Sequence, residues 1–175
     1  MDQSKRYIFN PAYILKNDLY RVIITDNPDY KSNYSVNKDF VSIIHPVHAM
    51  MLSFFKGSSQ LNITLNEISI FFDLPVSKIE NIIKPYINNE NPINFNFEGN
   101  SFQLPKYILV ENIKHESVNY SAEEFNIDPA IFDFKSARLF KPLSLTMMVN
   151  SICATDCIYC YADRSKKINC QIPIN

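Results

Sequence analysis

The chain has 175 residues, 46% of them hydrophobic and 20% charged, which is enough for one ordinary domain or for one small domain with part of another. Its net charge of −1 gives no basic excess for binding phosphates, so the composition argues against general nucleic-acid binding. The sequence has neither a run of about 18 apolar residues nor an apolar signal-peptide core, so we expect no membrane segment and a cytoplasmic location.

Two segments near the N-terminus have the composition of β-strands. Residues 12–15 and 19–24 are rich in β-forming side chains and are separated by the turn residues 16–18, which predicts a β-hairpin. Residues 26–38 are polar and include Asn27-Pro28-Asp29, so we predict a loop there.

Three helices are predicted in the next part of the chain. From His45 onward apolar residues recur at helical spacing, Pro46 suits a first helical turn, and Gly57 marks the end of this first helix. Capping boxes that begin at Thr64 and Ser77 predict the second and third helices.

A second pair of strands is predicted after the helices. Residues 93–97 alternate apolar and polar side chains, and residues 102–110 return after a turn. The order of hairpin, three helices and hairpin predicts an α+β fold with a winged helix-turn-helix domain over residues 1–110. We interpret residues 111–140 as a linker and residues 141–175 as the start of a second unit, whose first strand is the apolar run 143–149.

The cysteines are confined to the C-terminal end of the chain. All 4 follow residue 152, and in a reducing cytoplasm such thiols are expected to bind a metal or carry out chemistry. Elsewhere, His45 and His48 could pair on a metal, but a third ligand is not apparent nearby, and we interpret His45 as the residue that precedes a helix.

Three of the cysteines form a compact motif. Cys153, Cys157 and Cys160 are spaced so that their thiolates lie on one loop and can each reach a different iron of a [4Fe–4S] cubane, leaving the fourth iron without a protein ligand. The alternatives are a structural zinc site completed by Cys170 and three unrelated buried thiols. We interpret Cys170 as an incidental thiol, because a fourth thiolate would close the open iron.

This motif after a first strand resembles the cluster loop of the radical SAM superfamily. The resemblance implies that Cys153, Cys157 and Cys160 bind the cluster, and that Tyr159, just before the third cysteine, lies near the adenine of S-adenosylmethionine. The run 157–163 is most similar to the peptide-modifying branch that carries a C-terminal SPASM-type domain with further clusters. Ala154 departs from the Asn common after the first cysteine, and this loosens the match to the branch.

The resemblance also implies cofactors, partners and the extent of the chain. An enzyme of this family uses a [4Fe–4S] cluster, S-adenosylmethionine and a reductant such as ferredoxin or flavodoxin. Its barrel has several further βα units, whereas residues 141–175 supply only the first strand and the cluster loop. We therefore expect an N-terminal fragment of a radical SAM enzyme that does not turn over by itself.

The first domain resembles the RiPP recognition element found in many such peptide maturases. This winged-helix domain binds the leader of a precursor peptide, which adds a strand to the N-terminal hairpin. The resemblance places the docking edge near residues 19–25, with the third helix beside it. Two other functions stay open: a leader-binding module with a vestigial cluster loop, and a winged-helix DNA-binding regulator with a zinc site.

Overall fold

The fold is known from a computed structural model that describes residues 2–31, 40–97, 99–135 and 139–142. Contacts divide the chain into two compact units, residues 1–141 and residues 142–175. The predicted strand 143–149, the four cysteines and Tyr159 lie outside the described residues. All the described helices and strands belong to the first unit.

The first unit is a mixed α+β fold. Its strands are β1 Arg6–Phe9, β2 Tyr13–Asn17, β3 Val22–Asp26, β4 Val41–Ile44, β5 Lys56–Gln60, β6 Ile93–Phe97, β7 Asn100–Leu104 and β8 Leu109–Glu111. Its helices are α1 Pro46–Ser53, α2 Leu61–Phe72 and α3 Val76–Ile83, with 3₁₀ turns at Lys84–Tyr86, Ala122–Phe125 and Pro129–Ile131. Among the described residues, none of the helices has the length and apolarity needed to cross a bilayer.

The predicted N-terminal hairpin is confirmed and belongs to a larger sheet. β2 pairs antiparallel with β3, and β3 pairs antiparallel with β4, so the order is β2-β3-β4. Leu19 has a φ of 67° in the tight turn between β2 and β3, a conformation that a branched side chain rarely adopts. The sequence prediction missed β4, although Val41-Ser42-Ile43-Ile44 is rich in β-branched residues.

A second sheet joins distant parts of the chain. Its central strand is β1, which pairs antiparallel with β5 on one side and with β8 on the other. The segment around Gly57, predicted only as a helix end, is therefore a strand. The predicted return strand 102–110 is split, because β7 pairs with β6 whereas β8 pairs with β1.

The helices form where predicted, but two of their N-termini differ from the prediction. Thr64 does not cap α2: the helix begins one turn earlier at Leu61, and the Thr64 hydroxyl donates to the Gln60 carbonyl at 3.3 Å. Helix α3 follows Pro75 directly and has no side-chain cap from Ser77. Both capping-box predictions are wrong because each helix begins upstream of the predicted cap, so that Thr64 and Ser77 lie inside the helices.

The core extends beyond the predicted first domain. Residues from all three helices and from both three-stranded sheets form one buried apolar cluster. Ala122, Phe125 and Ile127 join this cluster, although they belong to the segment that the sequence predicts to be a linker. The ring of Tyr120 also stands edge-on to Phe9, with the centroids 5.8 Å apart.

Candidate functional site

The predicted cluster ligands Cys153, Cys157 and Cys160, and the predicted cofactor contact Tyr159, lie outside the described residues. They remain predictions. Within the part of the chain that the structure describes, no three His, Cys, Asp or Glu side chains are grouped as a metal site would need.

The strand edge predicted to receive a peptide is not free. Residues 19–25 comprise the turn and most of β3, and β3 is the central strand of its sheet. Its residue Ile24 pairs with Leu15 of β2 on one side and with Ser42 of β4 on the other. The predicted docking edge is therefore wrong, because β4 occupies the side of β3 that sequence reasoning left open.

The edge of this sheet is β4. The amide of Asp26 donates to the carbonyl of Phe40 at 3.0 Å, so these two residues are a hydrogen-bonded pair. Along antiparallel strands such pairs alternate with pairs that are not hydrogen-bonded. Ser42 and Ile44 accordingly direct their backbone groups toward β3, whereas those of Val41 and Ile43 point to the outer side. Among the described strands none pairs with that outer side, although β7 contacts β4.

The opposite edge of the sheet is covered. The amide of Leu15 in β2 donates to the Tyr120 hydroxyl at 3.3 Å, and the Asn17 side chain donates to the Glu124 carbonyl at 2.6 Å. The segment that follows β8 therefore covers the outer edge of β2. β4 is consequently the better edge for an added strand.

An apolar groove continues from the end of β4. A cavity of about 270 Å³ lies between the start of α1 and the β6–β7 hairpin, and a larger cavity of about 680 Å³ adjoins it. His45, Val47 and Phe97 line both cavities, and Phe102 lines the smaller one. We call the surface formed by these four residues the aromatic groove. Cavities of this combined size accept large apolar side chains.

His45 connects the edge strand to this groove. Its Nδ1 accepts the amide of Val47 at 3.3 Å, which confirms the interpretation of His45 as the residue that precedes α1 and caps it. The imidazole centroid is 4.6 Å from that of Phe97, 5.6 Å from Phe132 and 6.2 Å from Phe134. The helix cap thus also forms part of an aromatic wall.

His48 faces the other side of the groove and is held neutral. Its Nδ1 lies 2.7 Å from the Tyr86 hydroxyl. Burial, with a smaller contribution from the charge of His45, lowers the pKa of His48 to about 4, and burial raises the pKa of Tyr86. The hypothetical His45–His48 metal pair gains no third ligand among the described residues, and His48 already has a partner. We therefore interpret this surface as one that binds apolar groups.

The third helix borders a further cavity of about 360 Å³. Asn81 and Ile82 of α3 line it together with His48, Met51 and Phe95. Since His48 and Phe95 also line the smaller cavity at the end of β4, apolar surface extends from the edge strand toward α3.

Comparison of this chain with protein-family profiles, with curated proteins and with solved structures finds no match. Its activity has to be inferred from its own residues.

Sequence reasoning missed most of the groove. It identifies Phe97 only as a strand residue and assigns Phe132 and Phe134 to the linker. The signal for Phe132 and Phe134 is their alternation with polar residues after Ile131, which is unusual for a solvated linker. Their approach to His45 could not have been predicted, because it depends on the tertiary fold.

Proposed function

We propose that this chain is the N-terminal part of a radical SAM enzyme that modifies a ribosomally made peptide. Residues 1–141 would bind the leader of the precursor peptide, and Cys153, Cys157 and Cys160 would bind a [4Fe–4S] cluster. The observation that carries the proposal is the spacing of these cysteines, with Tyr159 directly before the third.

The donor set suits this cofactor. Three thiolates from one loop satisfy three irons and leave one iron for S-adenosylmethionine, whose cleavage by an electron from ferredoxin or flavodoxin supplies the radical chemistry. The part of the protein is to hold the cluster and to exclude water. Tyr159 would pack near the adenine, and the apolar run 143–149 would support the loop as the first strand of a barrel.

The peptide-binding role is supported by β4 and the groove beside it. An extended peptide could hydrogen-bond to the outward backbone groups of Val41 and Ile43, as in β-augmentation. Its apolar side chains could then enter the cavities lined by His45, Val47 and Phe97. The succession of sheet, three helices and the β6–β7 hairpin supports the further proposal that this unit is a winged-helix recognition domain.

A leader-binding module without cluster chemistry is the second candidate. It is favoured by the same edge and groove, since these would bind a peptide whether or not the cysteines bind iron. Iron binding separates the two candidates.

The cluster is tested by anaerobic reconstitution of the full chain with iron and sulfide. We expect a broad absorbance shoulder at roughly 400 nm, characteristic of [4Fe–4S], and its loss in Cys157→Ala. Cys170→Ala is the matched control and should keep the absorbance. Stoichiometric zinc binding without iron binding would contradict the proposal and favour the zinc-containing regulator, whereas binding of neither metal would favour the peptide-binding module.

A further inference from the structure

Residues 129–135, which we call the strap, cross the aromatic groove. The Phe134 ring lies 4.9 Å from Phe102 and 6.2 Å from His45, and the Phe132 ring lies 5.6 Å from His45, between ring centroids. Ile131 of the same segment is 49% exposed and faces away from the core. The strap therefore presents its two aromatic rings to the groove.

The strap covers space that the protein does not fill. The cavity of about 680 Å³ is bordered by Phe132 and Phe134 on the strap and by His45, Val47 and Phe97 on the groove. This cavity is partly open to solvent, and the strap forms one of its walls. The rings of the strap therefore restrict access to His45 from this side.

The strap is attached to the rest of the unit before it and along it. Just before it, Ile127 is buried in the core, and Phe132 of the strap packs against the same apolar cluster. Between the two rings, the amide of Asp133 donates to the Tyr20 carbonyl at 3.1 Å. The amide of Ile131 donates to Asp128, just before the strap, and the contacts of Phe132 and Phe134 with the groove are between rings.

Beyond the strap, the chain is anchored again at the β2–β3 turn. The buried Asp18 carboxylate accepts the amides of Phe140 at 3.1 Å and Lys141 at 2.6 Å, and it pairs with the buried Arg21 at 2.9 Å. Burial alone would raise the pKa of Asp18, but these amides and the guanidinium hold it below its usual value. Lys141, the last residue of this anchor, precedes Cys153 by 12 positions in the sequence.

We propose that the strap is a lid that occupies the aromatic groove in the free protein and that a bound peptide displaces. The part of this inference that concerns a peptide rests on the proposed function. A peptide extended along β4 and past Ile44 would meet His45, which the rings of Phe132 and Phe134 contact, and Phe97 beside it.

The three histidines of the chain allow a direct test by carbethoxylation of the full-length protein, followed by mass spectrometry. His45 lies under the strap, His48 reports on the core through its contact with Tyr86, and the exposed His115 is the internal reference. In the wild type we expect His45 to react several-fold more slowly than His115. In Phe132→Ala/Phe134→Ala its rate should rise by roughly fivefold or more, since two ring contacts are lost.

Two controls keep this test decisive. Ile131→Ala changes the exposed side of the same strap and should leave the His45 rate unchanged, and Phe134→Leu should give an intermediate rate. A wild-type His45 as reactive as His115, or an unchanged rate in the double variant, would show that the strap is not a lid. A parallel rise of His48 in both Phe134→Leu and the double variant would mean that the strap is part of the core, and would also overturn the proposal.

The peptide part is tested with a peptide selected on the wild type from a random library. It should bind the double variant more tightly, by roughly fivefold, because the rings no longer compete for the groove. Equal or weaker binding to the double variant would show that the rings of the strap do not compete with the peptide for the groove. If no peptide is selected on either protein, the proposed function fails, and the histidine labelling still decides whether the strap covers the groove.

Discussion

At the scale of single residues, His48 and Tyr86 form a half-buried polar contact beside the groove. The pKa of His48, lowered to about 4 by burial and by the charge of His45, is well below the value of about 6.5 expected in an unfolded chain. Between these two values the unfolded state binds more protons than the folded state. The contribution of neutral His48 to the free energy of unfolding is therefore fully present above the unfolded pKa and is lost as the pH falls toward 4.

We expect the free energy of unfolding to decrease by about 1–2 kcal/mol between pH 7 and pH 5 through His48 alone. Urea denaturation at the two pH values measures it. His48→Gln should remove most of this dependence, while His115→Gln, at an exposed site, should retain it. The carboxylates whose pKa values are lowered, Asp2, Asp18 and Glu123, contribute mainly at lower pH. Equal pH dependence in the His48 variant and the wild type would contradict the assignment.

The two glycines of the chain have different roles. Gly57 in β5 has a φ of 85°, and a Cβ there would lie 2.5 Å from the Asn112 amide nitrogen and 2.6 Å from the Glu116 carbonyl oxygen. Gly99, in the β6–β7 turn, has a φ of 76°, but a Cβ there would meet nothing within 4 Å. Only Gly57 is thus required both by its backbone conformation and by space.

Gly57→Ala should lower the free energy of unfolding by about 2–4 kcal/mol, because conformational strain and a clash add together. Gly99→Ala has the strain alone and should cost about 1 kcal/mol. Chemical denaturation of the two variants provides the comparison. Similar losses in both would mean that the side chain of Asn112 and the backbone at Glu116 move away at little cost.

At the scale of elements, β4 forms an edge of its sheet, and the proposed function places a bound peptide along it. Val41 is the first residue of the strand, is 49% exposed and directs its amide outward. Ser42, the next residue, directs its amide toward Ile24 of β3. Two neighbouring positions therefore distinguish the side of the strand that pairs with β3 from the side that has no partner among the described strands.

Val41→Pro should change the free energy of unfolding by less than about 1 kcal/mol, because proline is tolerated at the start of an edge strand. Ser42→Pro should cost about 3 kcal/mol or more, since it removes a ladder hydrogen bond. Thermal and urea unfolding measure both. A peptide selected on the wild type should lose affinity for Val41→Pro. Loss of stability from Val41→Pro as large as that from Ser42→Pro would show that the outer side of β4 is already paired.

Both hairpins could be predicted from the sequence, because turn residues and alternating side chains are local signals. The pairing of β1 with β5 and β8 could not, because its partners lie about 50 and 100 residues away along the chain. The same distinction applies to the candidate sites. The cysteine motif is contiguous and is evident from its spacing, whereas the groove is assembled from residues as distant in sequence as His45 and Phe102.

At the scale of the whole molecule, β1 connects the N-terminus to two distant parts of the chain, β5 between α1 and α2 and β8 after the β6–β7 hairpin. Its pairing with β5 and β8 means that residues 6–9 are needed to close the second sheet. The anchor at Asp18 connects the first hairpin to residues 140–141 in the same way. Elements that are far apart in sequence therefore stabilise one another, and the first unit is expected to unfold cooperatively.

The burial of Ala122, Phe125 and Ile127 has a consequence for how such a module could be transferred between proteins. A gene fusion that ended at Val110 would carry all eight strands except the last residue of β8, yet it would leave the face around Phe9 and Leu15 uncovered. Removing the Phe125 side chain alone should lower the free energy of unfolding by about 3 kcal/mol or more.

We expect a chain ending at residue 110 to aggregate in size-exclusion chromatography, and a chain ending at residue 141 to elute as a folded monomer. If the shorter chain is equally soluble and stable, the segment after β8 is dispensable. If the shorter chain aggregates, the smallest module that can be moved to another protein includes residues 111–141, which the sequence predicts to be a linker. Recombination within that segment would then produce a domain that cannot fold.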